Sequence, residues 1–360
     1  MLLRKLLLED RVIGDTMMVN HTEPVGWWHF AHSFVRGHWR NESTSAPSLL
    51  TKSCHDVDFL LWLLCSPGPN SSEHAHLPSK ITSTGSLQYF RKEYKPVAAG
   101  DATNCLSCPY EGGCKFSAKS IYTGSRFPGL ASGNTEWPVD VIVPEIEDII
   151  RTSGPDAGEK ALLAKLSENY DENASIADVS ARPWFGRCVY ESDNDVLDNQ
   201  TVTFTFDAIP SADDGGKPLK LGKVATFHMT ALTKKVCERY THISGADGEI
   251  YADGTSISVH NFSTGEDATF HPPSEGGGHG GGDGGLAKQF VLAIDQVKNH
   301  GIPVKEAQQE YIGCSLEEIV RSHAMVFAAE EARKTQLWLD FPSWWKREVE
   351  SKLAHPDIAR

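Results

Sequence analysis

Apolar residues recur along this chain in two spacings, one helical and one alternating. Residues 1–13 (MLLRKLLLEDRVI) carry leucines at helical intervals and end at Gly14, which predicts an amphipathic helix. DTMMVNHTEP (15–24) alternates and predicts a strand, and 25–46 predicts a polar, aromatic-rich loop. SLLTKSCHDVDFLLWLLC (48–65) predicts a helix, with Pro47 before it and Pro67 and Gly68 after. Its Leu50, Val57, Leu61 and Leu64 fall on one apolar face. A strand over 79–91, a Cys/Gly-rich loop and a short helix near 115–122 follow.

Residues 151–183 are polar and predict a surface excursion with one short helix, AGEKALLAKL. Beyond it the strand pattern repeats at 185–190, 200–206, 224–232 and 238–245, then in GEIYAD and SISVHNF. A loop is expected over 208–220. A glycine tract (276–285) separates these strands from predicted helices at 286–299 and 315–334. No internal repeat is visible. Closely spaced strands flanked by helices predict an α+β fold: a large, open, predominantly antiparallel sheet with helices on one face. One main domain over 1–340 and a tail over 341–360 are expected.

Composition narrows the function classes. Of 360 residues, 48 are Asp or Glu and 34 are Lys or Arg, a formal net charge of -14. A protein that neutralises phosphates, or that rests on an anionic membrane, carries the opposite balance. Mean hydropathy is -0.34, and no apolar run approaches the roughly 20 residues of a spanning helix. Arg4 and Lys5 interrupt the leucines of the first ten residues, and Glu9 and Asp10 end them, so no export signal is read there. A cytoplasmic, reduced setting is expected. The eight cysteines then read as thiols or metal ligands, and the Asn-x-Ser/Thr matches as chance.

Four motifs bear chemistry. Lys52-Ser-Cys-His55-Asp56-Val-Asp58 puts a lysine and a histidine three residues apart on the predicted helix. A histidine that titrates near neutrality, a lysine facing developing oxyanion charge and supporting carboxylates can together move a hydroxyl proton. An ordinary solvated helix face accounts for the same spacing. The run from Glu23 to Arg40 (EPVGWWHFAHSFVRGHWR) offers aromatics for stacking and Arg36 and Arg40 for oxygen atoms of a ligand, or else a loop anchored by tryptophans. Cys105-Leu-Ser-Cys108, followed by Cys114, has the spacing of three tetrahedral metal ligands; Cys188 is the expected fourth, and the expected ion is a structural zinc. Buried or free thiols are the competing account. In the glycine tract, His279 and Asp283 are candidate polar groups beside a closely approaching ligand. The glycines there do not make a dinucleotide fingerprint, because Pro272 and Pro273 precede them and no strand–helix–strand unit is visible.

Taken together, EPVGWWHFAHSFVRGHWR, SLLTKSCHDVDFLLWLL, CLSCPYEGGCKFSAKSIY, RCVYESDNDVLDNQTVTFTF, GGGHGGGDGGL and SHAMVFAAEEAR resemble the C-terminal part of Gfo/Idh/MocA oxidoreductases. The resemblance is closest to a cysteine-containing subgroup and spans roughly 1–335. It implies hydride transfer between NAD or NADP and a sugar, cyclitol or other polyhydroxylated substrate. It also implies a carbohydrate-like ligand and homo-oligomers formed through the sheet. His55 would be the general acid/base, Lys52 an orienting or oxyanion-stabilising group, and Asp56 or Asp58 a support. Arg36, Arg40, His279 and Asp283 would line the substrate pocket. Two departures weaken the transfer. Thr51 stands where many members have an aspartate, and the nucleotide-binding Rossmann half is not expected within these residues. No cofactor-binding residue is therefore assigned, and a chain truncated and inactive alone is expected. A cofactor-free binding or assembly subunit is the alternative; a zinc hydrolase built on Cys105, Cys108 and Cys114 is a weaker third.

Overall fold

The computed structural model describes residues 1–66, 75–125, 127–211, 218–272 and 282–354. Alternation along the strands builds one nine-stranded sheet in the order β8-β7-β6-β5-β1-β4-β3-β2-β9. The strands are β1 (Thr16–Pro24), β2 (Lys80–Ser86), β3 (Asn199–Phe206), β4 (Lys223–Thr230), β5 (Tyr240–Gly245), β6 (Gly248–Asp253), β7 (Ile257–Asn261), β8 (Asp267–Phe270) and β9 (Leu339–Asp340). Every pairing is antiparallel except β1 with β4. The expected α+β fold with a large, mostly antiparallel open sheet is the one observed. Among the described residues no helix is long and apolar enough to cross a membrane.

The period of two decides what each face holds. In β3, Val202, Phe204 and Phe206 are buried; in β4, Phe227 and Ala225 are buried opposite Val202 and Phe204, and Met229 is buried opposite Gln200. Val19, Ile243 and Ile250 continue this apolar layer across β1, β5 and β6. The intervening positions form the other face, where Thr203 pairs in register with Thr82 and Thr226, and Thr201 with Thr84 and His228.

Helices cover the apolar face. Leu316–Thr335 packs against β2 and against the helix Cys54–Leu64. Ala324, Ala328, Ala329 and Ala332 keep its inner side small and buried. Ser315 and Glu318 cap its start reciprocally, through Glu318 N to Ser315 Oγ (3.2 Å) and Ser315 N to Glu318 Oε2 (2.7 Å).

Several predicted elements differ. The first helix runs only from Leu2 to Glu9. The expected loop at 25–46 begins with a helix, Trp27–Phe30, whose spiral continues as a wider turn to Arg36. Residues 185–190 form no strand; only the bridge Asn104↔Arg187 is made there. Two short strands, β8 and β9, carry too few residues to show a period and were not anticipated. The polar excursion lies next to a second core, in which Leu162, Leu166 and Ile146 pack with Trp28, Tyr122 and Val139. The helices Ile146–Ser153 and Pro155–Ser167 form its outer wall, and their polar outward faces hid the apolar stripe. This hairpin docks at Gly186, where a Cβ would stand 1.7 Å from the Leu166 carbonyl oxygen. Residues 341–354 are helical and bury Phe341 and Trp344.

The two sheet faces predict different responses to truncation. Phe204→Ala should lower stability by about 3–5 kcal/mol in urea unfolding. Thr203→Ala on the open face should change it by no more than about 0.5 kcal/mol. Equal losses would contradict the assignment of faces.

Candidate functional site

The final residues of β1 point two ionisable side chains into the core. His21 and Glu23 share the inward face with Val19, and Glu23 is fully buried. The helix that was expected to run unbroken over 48–65 breaks at Lys52 and Ser53, between Ser48–Thr51 and Cys54–Leu64. The break turns Lys52 toward Glu23 and leaves Asp56, in the first turn of the second piece, buried beneath β1. Lys52 and His55 therefore do not share one helical face. The β4–β5 connection closes the group with Cys237 and Arg239.

These residues form one buried ionic cluster. Asp56 Oδ1 accepts from His21 Nε2 (2.9 Å) and from Arg239 Nε (2.6 Å). His21 Nδ1 lies 2.8 Å from Thr241 Oγ1, which fixes the ring. Glu23 meets Lys52 Nζ at 3.2 Å through Oε1 and Arg239 Nε at 2.8 Å through Oε2. The Arg239 Nε carries one proton, and it is aligned with Asp56. Its contact with Glu23 is thus ionic without being a hydrogen bond. Glu23 Oε1, Glu23 Oε2 and Asp56 Oδ2 are buried acceptors with no aligned donor among the described residues. Arg239, with 34% of its side chain exposed, is where the cluster reaches solvent.

Cys237 adds a soft group. Its backbone is left-handed, at φ 60°, an arrangement that costs a non-glycine residue about 1 kcal/mol. Its Sγ accepts from Lys52 Nζ at 3.0 Å and lies 3.3 Å from His29 Nδ1.

Burial and charge set the protonation states. Burial opposes the charge on Asp56, but His21 and Arg239 outweigh it and hold the carboxyl below its usual range. Burial likewise opposes Arg239, and Asp56 and Glu23 more than compensate, so its pKa is raised. Burial, with Lys52 nearby, pushes the His29 imidazole down to about 3 and keeps it neutral at pH 7. Burial raises the Cys237 thiol although Lys52 opposes it.

Of the residues expected from sequence, Lys52 and Asp56 meet in this cluster. His55 is exposed on the first helical turn, and Asp58 is exposed beside a different small cavity with Trp62, Cys314 and Glu318. Arg36 and Arg40, expected at a substrate pocket, are placed in the interior, buried and bonded to protein groups. Arg36 donates to the carbonyls of Arg187 (2.7 Å) and Phe116 (2.7 Å). Arg40 donates to Asp193 Oδ1 (2.7 Å) and to the carbonyls of Val179 (2.5 Å) and Gly37 (3.2 Å). Asp283 lies exposed in the first turn of the helix Gly282–Asn299, and His279 lies outside the described residues.

The cysteines Cys105, Cys108, Cys114 and Cys188 line one small cavity. All eight cysteines are free thiols. Among the described residues, however, no group of three or more His, Cys, Asp or Glu side chains is set to hold a metal ion, so the expected zinc finds no support in the thiols as they stand.

Sequence reasoning missed Glu23 as an acid, Arg239, His21 and Cys237. For Glu23 the signal was present: a carboxylate at an inward position of an alternating strand. Arg239 and Cys237 carried no local signal, because only the sheet topology brings them beside β1.

No family model and no curated protein matches the chain. Solved structures with a similar fold include the super-repressor mutant of Gal80p from Saccharomyces cerevisiae (11% identity, TM-score 0.48, 94% of this chain and 61% of that one). Levoglucosan dehydrogenase in complex with NADH and levoglucosan is another (13%, 0.47, 94% and 63%). A third is an oxidoreductase domain protein from Kribbella flavida (12%, 0.44, 94% and 62%). This chain spans between 61% and 63% of the length of these three proteins.

The depressed Asp56 pKa gives a signed pH prediction. Its stabilisation is present above the unfolded carboxyl value of about 4 and is lost as pH falls through the folded value. Asp56→Asn should lower stability at pH 7 by about 1–3 kcal/mol. It should also flatten the acid limb of stability against pH measured by chemical denaturation. An unchanged acid limb would show that Asp56 is not held as an anion in this cluster.

Proposed function

We propose that this chain supplies the substrate-binding and proton-handling part of a Gfo/Idh/MocA-type oxidoreductase acting on a sugar, cyclitol or other polyhydroxylated compound. The observation that carries the reading is the set of buried carboxylate oxygens on Glu23 and Asp56 that lack an aligned donor beside Lys52. A buried acceptor without a donor costs about 1–3 kcal/mol. A ligand with adjacent hydroxyls satisfies such acceptors and fits the requirement better than an apolar or anionic one.

The residues divide the work by charge. Glu23 and Asp56 accept hydroxyl protons and orient the carbon skeleton. Lys52 Nζ, already between Glu23 and Cys237, donates to the oxygen that loses its proton and stabilises the developing negative charge. His29 is neutral at pH 7 and lies against the Cys237 thiol, so it positions this side of the cluster and does not serve as a general acid. His21 holds Asp56 in place. His55 is retained as an acid/base group acting from the exposed first turn.

Hydride chemistry belongs to the nicotinamide cofactor that the resemblance implies. Among the described residues nothing offers it a cradle. The one parallel strand pair among them is β1 with β4, and β1 leads through Gly26 into the helix Trp27–Phe30 and its wider-turn continuation to Arg36. That turn lacks the glycine-rich approach to a long helix that a pyrophosphate needs.

The open sheet face favours a second reading, a binding or assembly subunit. Its Thr82, Thr84, Thr201, Thr203 and Thr226 lie on one face in register, a surface suited to packing against a second copy.

Calorimetric titration with a panel of monosaccharides and cyclitols tests the site. Saturable binding should weaken at least about 10-fold in Lys52→Met, a loss of roughly 1.4 kcal/mol. Failure of every polyol to bind would refute the polyol site. Reduced-nicotinamide fluorescence separates the two readings: saturable binding of NADH or NADPH marks the enzyme, and its absence marks the subunit.

A further inference from the structure

The second candidate centre lies away from the ionic cluster and is independent of the function proposed for it. Cys105, Cys108, Cys114 and Cys188 share one cavity with Glu111 and Tyr190 among its other walls. The chain from Lys92 to Gly113 holds only three-residue helical turns. Such a segment has little internal structure to fix it. It is nevertheless clamped to the segment bearing the fourth cysteine. Cys105 N donates to the Gly186 carbonyl (2.8 Å), and Cys188 N donates to the Thr103 carbonyl (2.9 Å). The clamp brings together residues that are 74 to 83 positions apart in sequence, the separations of Cys114 and Cys105 from Cys188.

Cys105 and Cys108 lie at the ends of a single turn, with Cys108 N bonded to the Cys105 carbonyl at 3.3 Å.

The strongest pointer is Arg36. It is among the largest fully buried side chains, and no carboxylate contacts it among the described residues. Its Nη2 donates to Cys105 Sγ at 3.3 Å and to the Phe116 carbonyl at 2.7 Å. Its Nη1 has no hydrogen-bond partner among the described residues. A fully buried guanidinium that keeps one unpartnered nitrogen, and whose other donors reach two carbonyls and a thiol with no carboxylate among the described residues, favours an anion nearby.

We propose that Cys105, Cys108, Cys114 and Cys188 form a binding site for one thiophilic divalent ion, with Arg36 as the buried cation beside it. The thiols are not in ligand geometry as they stand. Binding draws them inward from the walls of the cavity they already share, and each coordinating thiol gives up its proton to solvent. A divalent ion in a shell of four thiolates is a net anion, which is the charge Arg36 lacks. The Arg36 N–H donor to Cys105 then acts as the support outside the coordinating shell. With four protein ligands the site has no open position, so its role is to cross-link the loop and it performs no hydrolysis.

Cobalt(II) titration of the reduced, chelator-treated full chain tests this directly. The expected result is one equivalent bound, with a sulfur-to-cobalt charge-transfer band that zinc(II) abolishes. Cys108→Ser and Cys188→Ser should each weaken binding at least about 100-fold, and Arg36→Met about 10–100-fold. Cys314→Ser, outside the cavity, should leave it unchanged. If a variant fails to fold, maleimide labelling of the wild-type chain with and without zinc(II) replaces it. Protection should then fall on Cys105, Cys108, Cys114 and Cys188. No charge-transfer band at stoichiometric cobalt, or protection of other cysteines, would overturn the proposal.

Discussion

Two carboxylates buried where a strand, a helix and a crossover meet are the constraint on which the rest of this structure depends. Glu23 and Asp56 are almost fully buried; among the described residues Lys52 and Arg239 offset their charge, and His21 hydrogen-bonds to Asp56. Each partner comes from a different part of the chain, so the cluster exists only when the sheet has its observed strand order. The break of the helix at Lys52 and Ser53 and the left-handed backbone at Cys237 are local departures from regular geometry at this meeting point. Strain and unaligned buried acceptors concentrated in one place are more typical of a working site than of a core optimised for stability.

The fold isolates that place from two others with different chemistry. The open face of the sheet is threonine-rich along β2, β3 and β4. Arg36 and Arg40 act inside the protein, tying the segment after β1 to the Cys loop and to residues 179–193. Positive charge that looks available for ligand oxygens in the sequence is thus committed to backbone carbonyls. The same commitment gives the cysteine cavity its buried cation.

Sheet-forming segments were legible because their period is short and local. QTVTFTF, GEIYAD and SISVHNF read as strands and are strands, and the capped helix near 315–334 was bounded within two residues. The helical hairpin at 146–167 was not read as core, because only its inner residues Ile146, Leu162 and Leu166 are apolar and the rest is charged. The site was half legible. Lys52 and Asp56 announced themselves as a motif, and the cysteines by their spacing. Arg239 and Cys237 could not, since a pairing between β1 and β5 puts them there and no local pattern encodes it. His55 stood out by type, but an irregular turn of backbone moved it off the face that spacing assigned to it.

A high-resolution crystal structure of the chain with a bound polyol is the most direct measurement of the central claim. The account predicts two ligand hydroxyls within hydrogen-bonding distance of Glu23 and of Asp56 Oδ2, with Lys52 Nζ on one ligand oxygen. A polyol seated elsewhere, with those carboxylate oxygens fully satisfied by protein groups alone, would contradict it.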